Sequence, residues 1–163
     1  MNDVLLIGVG HPDRGDDAVG PAIVRAVRGA CPDGVRAIEA GGDLLALLDL
    51  WAGARGVVVV DATRGAGMPG RIVRLTPLER ASSGLAMPAF VSSHALDLAS
   101  VLDLGRALGR VPRELVVYGV EGERFGGGEP LSAEVAAAMP RVIDQVMTEL
   151  SRLAAGSPCT NTR

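Results

Sequence analysis

Residues 4–20 of the chain, VLLIGVGHPDRGDDAVG, leave little freedom in how the polypeptide begins to fold. Val4 to Ile7 is an uninterrupted apolar run bounded by glycine, with the length and bulk of a strand buried on both faces. Such strands belong to sheets covered by helices on either side. Gly8, Gly10 and Gly15 with Pro12 supply the positive-φ and tight-turn positions of a loop, and Asp16-Asp17 stand directly before a helix-patterned stretch. A strand therefore ends in a glycine-rich loop that delivers two carboxylates. A dinucleotide fingerprint does not fit, because the third glycine comes five residues after Gly10 instead of three and aspartates stand where a pyrophosphate would sit. One aspartate here reads as a helix N-cap; two exceed what a cap requires. The third reading is a carboxylate placed at a strand's carboxyl end to hold a cation or do acid–base work, which needs partners elsewhere in the chain.

The rest of the chain extends the same pattern. Ala18 to Arg28 carries Val19, Ile23, Val24 and Val27 on one stripe, an amphipathic helix that tolerates Pro21 in its first turn. Val35 to Ala40 reads as a second strand ending in Gly41-Gly42, and Asp43 as the cap of a second helix, LLALLDLWAGA, apolar nearly all round and expected to be the most buried. Val57 to Val60 followed by Asp61 is a central parallel strand whose carboxyl end carries an acid. Only nine residues, Ala62 to Gly70, separate Asp61 from the β-like run Arg71 to Leu75. A parallel crossover takes a dozen or more, so the fourth strand is expected to be antiparallel and at an edge. A long connection from Thr76 to Val91 leads through Ser92-Ser93-His94 to a helix over Ala95 to Leu108. Leu115 to Val120 reads as the fifth strand, Gly122 to Pro130 as a glycine-rich loop, and the last helix starts at a Ser132 cap and passes through Pro140. The order β-α-β-α-β-β-α-β-α specifies an α/β fold, a three-layer α/β/α sandwich over a mostly parallel five-stranded sheet. Residues 1–155 form one domain in this reading, and 156–163 a disordered tail.

Composition removes several classes of function. The two cysteines, Cys31 and Cys159, form no CxxC, which argues against a secreted disulfide scaffold or a cysteine-ligated metal. Net charge is −3, and the sixteen basic residues, all arginine, are scattered instead of forming a basic stripe, so no nucleic-acid partner is expected. The N-terminus lacks the basic segment of a signal peptide and no apolar stretch approaches a membrane span, so a cytoplasmic protein without a membrane partner is expected.

Right-handed crossovers with helices on both faces are best met if the second and third strands flank the first, which makes the first and third strands neighbours at a topological switch point. Asp16 or Asp17 and Asp61 then face one crevice, and the connection ending in His94 can close over it. Two aspartates forced together repel unless a proton or a cation lies between them, and an oxygen, oxygen and imidazole set suits zinc, nickel, manganese or iron with a position left open. Taken singly, Asp61 as a turn cap and His94 near a helix N-terminus are equally ordinary readings. A serine hydrolase built on Ser92 or Ser93 fits poorly, since both directly precede His94 and no G-x-S-x-G elbow occurs. His11 is a further ligand or proton carrier, or simply a solvated loop histidine.

Over nearly its whole length the chain resembles the nickel-iron hydrogenase maturation endopeptidases, which trim the C-terminal extension of the hydrogenase large subunit. The resemblance rests on G-V-G-H-P-D-R-G-D-D-A-V-G, E-A-G-G-D, V-V-V-V-D-A, S-S-H-A-L-D-L, and Y-G-V-E-G-E-R-F followed by P-L-S-A-E-V, in that order. It implies a strand order of 2-1-3-5-4 with the fourth strand antiparallel. It places the catalytic and metal-contacting positions on Asp17, Asp61 and His94. The family commonly has glutamate or aspartate at the first of these, and usually asparagine where His11 stands. The resemblance further implies that no metal is permanently bound: nickel already seated in the large-subunit precursor, the partner, is what these residues recognise. A monomer is expected. Two rival readings are a non-catalytic metal-sensing assembly factor of the same fold and a metallohydrolase with its own zinc.

Overall fold

The computed structural model describes residues 4–65, 67–82 and 95–156. Strand β1 (Val4–Val9) leads through a 3-10 turn at Gly15–Ala18 into α1 (Val19–Val27), and β2 (Val35–Ala40) into the short α2 (Ala46–Leu50). Then follow β3 (Gly56–Thr63), β4 (Ile72–Leu75), α3 (Pro77–Ser82), α4 (Ala95–Leu108), β5 (Glu114–Glu121) and α5 (Ala133–Ala154). The sheet runs β2-β1-β3-β5-β4, parallel throughout except that β4 pairs antiparallel with β5. The connection from Asp61 was indeed too short for a parallel crossover.

Alternation along the central strands divides the core into two layers. Val4 and Leu6 of β1 and Val58 and Val60 of β3 pack with Ile23 and Val24 of α1 and Val142, Val146 and Leu150 of α5. Leu5 and Ile7 with Val57 and Val59 face Leu47 and Leu48 of α2 and Val101 and Leu102 of α4. All eight residues of β3 are buried, as a strand covered on both faces requires.

Helix α1 packs directly on the sheet backbone where glycine meets glycine. A Cβ on Gly20 would lie 2.5 Å from the Val9 carbonyl oxygen and 2.6 Å from that of Val60, and one on Gly8 would run into the Gly20 carbonyl. Backbone therefore rests on backbone where α1 begins.

Two local expectations change. The second helix is a single short turn and is not fully buried: Leu45 is 58% exposed, while Leu47 and Trp51 reach the core. Asp43 Oδ1 accepts the Leu45 N–H at 3.0 Å, which bends the chain ahead of the helix, and the Trp51 indole is held by the Arg110 carbonyl at 2.8 Å. Ser132 is the N-cap residue of α5, yet its side chain makes no capping bond. The connection beginning at Thr76 opens with α3, and its remainder, 83–94, lies outside the described residues, as does 157–163 of the expected tail.

A buried carboxylate joins the antiparallel edge to α5. Glu149 accepts Arg74 Nε at 3.0 Å, Arg152 Nε at 2.9 Å and the Tyr118 hydroxyl at 3.0 Å. Burial opposes its ionisation, but the hydrogen bonds from Arg74, Arg152 and Tyr118 outweigh that and hold the carboxyl below its ordinary value. The unfolded chain therefore takes up this proton first, so the stability Glu149 contributes is present above about pH 4.5 and is lost as pH falls through the folded-state value. Glu149→Gln is expected to cost on the order of 1–2 kcal/mol at neutral pH and to melt with a shallower acid limb. Thermal unfolding measured from neutral to acid pH checks this, and parallel acid limbs for the two proteins would remove Glu149 from the account.

Candidate active site at the strand carboxyl ends

The loops after β1 and β2 and the last residues of β3 meet at one end of the sheet. Gly10 N–H bonds the Ala40 carbonyl at 3.2 Å, tying the first loop to the end of β2. Gly10 has φ 133° and Gly15 φ 54°, and a side chain at either would strike backbone, the Asp17 carbonyl in one case and the Arg124 carbonyl in the other. The loop can take this path only with glycine at both positions.

The two adjacent aspartates have separate tasks. Asp16 is fully buried and turned away from the opening: its Oδ2 accepts the N–H groups of Glu123 at 2.7 Å and Arg124 at 2.9 Å, and its Oδ1 that of Ser132 at 2.7 Å. Burial alone would raise its pKa, but these three donors more than compensate and hold it low. Neither the 3-10 turn nor α1 has a side-chain cap, so the N-cap reading fails for both aspartates. Asp16 instead staples the β5–α5 loop onto the β1 loop.

Asp17 faces the opposite way. It lines a pocket of about 400 Å³ with His11, Arg14, Gly41, Arg64 and Phe125, and its Oδ2 accepts the His11 N–H at 2.8 Å. His11 thus contributes its backbone to holding Asp17, whatever its ring does. Asp61, 9% exposed near the end of β3, uses Oδ1 to accept the Ala62 N–H at 2.8 Å. Burial, and then the negative charge of Asp17, push the Asp61 carboxyl up to about 8. Near neutrality the protonated form of Asp61 is thus favoured, first by burial and then by the neighbouring carboxylate. Placement at the β1/β3 switch point thus brings Asp17 and Asp61 within electrostatic reach of each other.

His94, the third candidate, lies outside the described residues, as do Ser92 and Ser93. Among the described residues no group of three or more His, Cys, Asp or Glu side chains is arranged to hold a metal. Sequence reasoning missed Arg64 and Phe125. The Arg64 guanidinium carbon lies 4.1 Å from the Phe125 ring centroid, and both residues line the pocket with Asp17. The available signal was position: Arg64 leaves β3 three residues after Asp61, and Phe125 stands in the glycine-rich loop after β5.

Comparison with known proteins supplies a context for this geometry. Residues 22–149 match a family model described as hydrogenase maturation protease. The chain is 30% identical over 154 residues to the hydrogenase 2 maturation protease of Escherichia coli strain K12, covering 90% of each sequence. It is 31% identical over 162 residues to the hydrogenase expression/formation protein HoxM of Azotobacter vinelandii, covering 94% of this chain and 76% of that one. Among solved structures, the hydrogenase maturating endopeptidase HybD from E. coli superposes with a TM-score of 0.76 at 28% identity, covering 94% of this chain and 93% of the other.

Proposed function

The chain belongs to the hydrogenase maturation protease family, and from that premise we propose that it is an endopeptidase that removes the C-terminal extension of a nickel-iron hydrogenase large-subunit precursor after nickel insertion. The observation that carries this reading is the Asp17–Asp61 pair: one carboxyl on the loop after β1 and one near the end of β3, within electrostatic reach of each other, the second raised by burial and then by the charge of the first, beside a pocket open to solvent. A pair in that condition favours an arriving cation, which displaces the Asp61 proton and relieves the repulsion. In this proposal the cation is the nickel of the precursor, so it is part of the substrate and no resident metal is required. His94 in this proposal supplies the third donor, an imidazole nitrogen. Nickel held by these side chains fixes the precursor's tail, converting an encounter between water and peptide into a reaction within one complex.

No helix among the described residues is long and apolar enough to cross a membrane. We further propose that the protein acts as a cytoplasmic monomer whose partner is the precursor, with neither nucleic acid nor membrane involved.

Nickel gating has a direct readout. Purified protein incubated with nickel-loaded and nickel-free precursor, with the products weighed by mass spectrometry, is expected to release the extension only from the loaded form. Equal cleavage of both forms would refute recognition through nickel. Stoichiometric zinc in protein purified without added metal would point instead to a metallohydrolase with its own ion.

A further inference from the structure

Hydrolysis of a peptide needs a group that meets negative charge on the carbonyl oxygen as well as groups that manage protons, and an ionised carboxylate repels such charge. Resting on the peptidase reading above, we propose that Arg64 is the catalytic residue that polarises the scissile carbonyl, with Phe125 as its positioning residue.

Arg64 follows β3 directly, so its backbone is fixed by the same strand that carries Asp61. Its side chain lines the pocket that contains Asp17, and among the described residues it makes no ion pair that would neutralise it. The Phe125 ring at 4.1 Å holds the guanidinium by its face. A guanidinium stacked in this way keeps its in-plane N–H donors available, and less freedom is lost when they bind an oxygen.

Phe125 in turn is held in place by its loop. The two preceding amides, Glu123 and Arg124, bond Asp16 Oδ2 at 2.7 and 2.9 Å. A Cβ on Gly122 would lie 2.6 Å from Asp16 Cβ and 2.8 Å from the Phe125 ring, so the loop lies flat against the β1 loop. Asp16, Phe125 and Arg64 thus form a chain of supports from the interior to the pocket. Arg14 also lines the pocket, but no ring contact among the described residues steadies it.

In the reaction, a water oxygen bonds to the carbonyl carbon and the C=O π pair moves onto the oxygen, where the Arg64 N–H groups meet it. The water proton passes to a carboxylate of the Asp17–Asp61 pair. As the C=O bond re-forms the C–N bond breaks, and that proton goes to the leaving nitrogen. The products are a carboxyl terminus, which ionises to solvent, and an amine, with no net change in the enzyme.

Steady-state kinetics on nickel-loaded precursor test this. Arg64→Met is expected to lower kcat by about 100-fold with KM changed by less than about threefold, the pattern of an interaction made in the transition state. Arg64→Lys is expected to recover part of the loss, since it keeps the charge without the stacked plane. Phe125→Leu is expected to lose about tenfold in kcat. Because Arg64 is exposed, both Arg64 variants should melt within a few degrees of the parent. A raised KM at intact kcat in Arg64→Met would overturn the role in favour of simple anchoring, and unchanged kinetics would overturn it outright. If the parent protein itself releases nothing from loaded precursor, the peptidase reading falls and this role with it; if the parent cleaves and Arg64→Met cleaves equally well, only the role of Arg64 falls.

Discussion

Asp16→Ala is expected to unfold the protein or bring it to the edge of unfolding, with a loss on the order of 3–6 kcal/mol. The substitution strips the acceptor from three backbone N–H groups, those of Glu123, Arg124 and Ser132, two of them bonded at 2.7 Å and one at 2.9 Å. Each such donor left without a partner costs about 1–3 kcal/mol, and water entering the gap recovers some of it. Asp16→Asn keeps one acceptor oxygen but turns an NH2 group toward at least one donor, so it should fall between the two. Urea unfolding gives the numbers. A melting temperature for Asp16→Ala within a couple of degrees of the parent would mean the staple is unimportant. Near-native stability is not expected, because the loop joining β5 to α5 has its first anchor in this carboxylate.

The neighbouring residue should behave in the opposite way. Asp17→Ala and Asp61→Asn are each expected to lower release of the extension by at least about 100-fold while leaving a folded protein. For Asp61→Asn the stability change has a definite sign. The Asp61 carboxyl is raised to about 8 in the folded state from an ordinary value of 3.8, so between those limits the native protein binds more protons than the unfolded chain. Stability contributed at this position is full below about pH 3.8 and declines as pH rises through about 8. Asparagine resembles the protonated acid in shape and never ionises. The variant should therefore melt higher than the parent above neutrality, on the order of several degrees, with the gap closing toward acid pH. Inactivity together with greater stability is the signature of a site held in tension for its work. An Asp61→Asn protein that is less stable than the parent at every pH, or one that still processes precursor normally, would contradict this assignment.

The sheet was legible because its signals are local. Four consecutive valines at Val57–Val60 can hardly be anything but an interior strand, and the short span before Arg71 determined the direction of β4. The second helix was misjudged because apolar composition does not say which residues face solvent: Leu45 is exposed, although nothing in LLALLDL distinguishes it from Leu47. Asp16 and Asp17 could not be told apart from sequence, since the donors that claim Asp16 stand more than 100 positions away. Arg64 and Phe125 follow no periodicity, and only the folded loops bring them together. Topology alone brought Asp16 or Asp17 toward Asp61 and the resemblance singled out Asp17, whereas His94 lies beyond the described residues.

The seat of α1 on the sheet limits how such a pocket can be re-engineered. Because a Cβ on Gly20 would already lie only 2.5–2.6 Å from the Val9 and Val60 carbonyl oxygens, the helix that follows Asp17 has no room there for any side chain. The helix that follows Asp17 thus rests on β1 and β3 through main-chain atoms at this point, with no side chain between them. On the far wall, a Cβ at Gly41 would meet no atom of the described residues within 4 Å. Libraries intended to retune what this crevice admits should therefore vary Gly41 and its neighbours and leave Gly8 and Gly20 untouched.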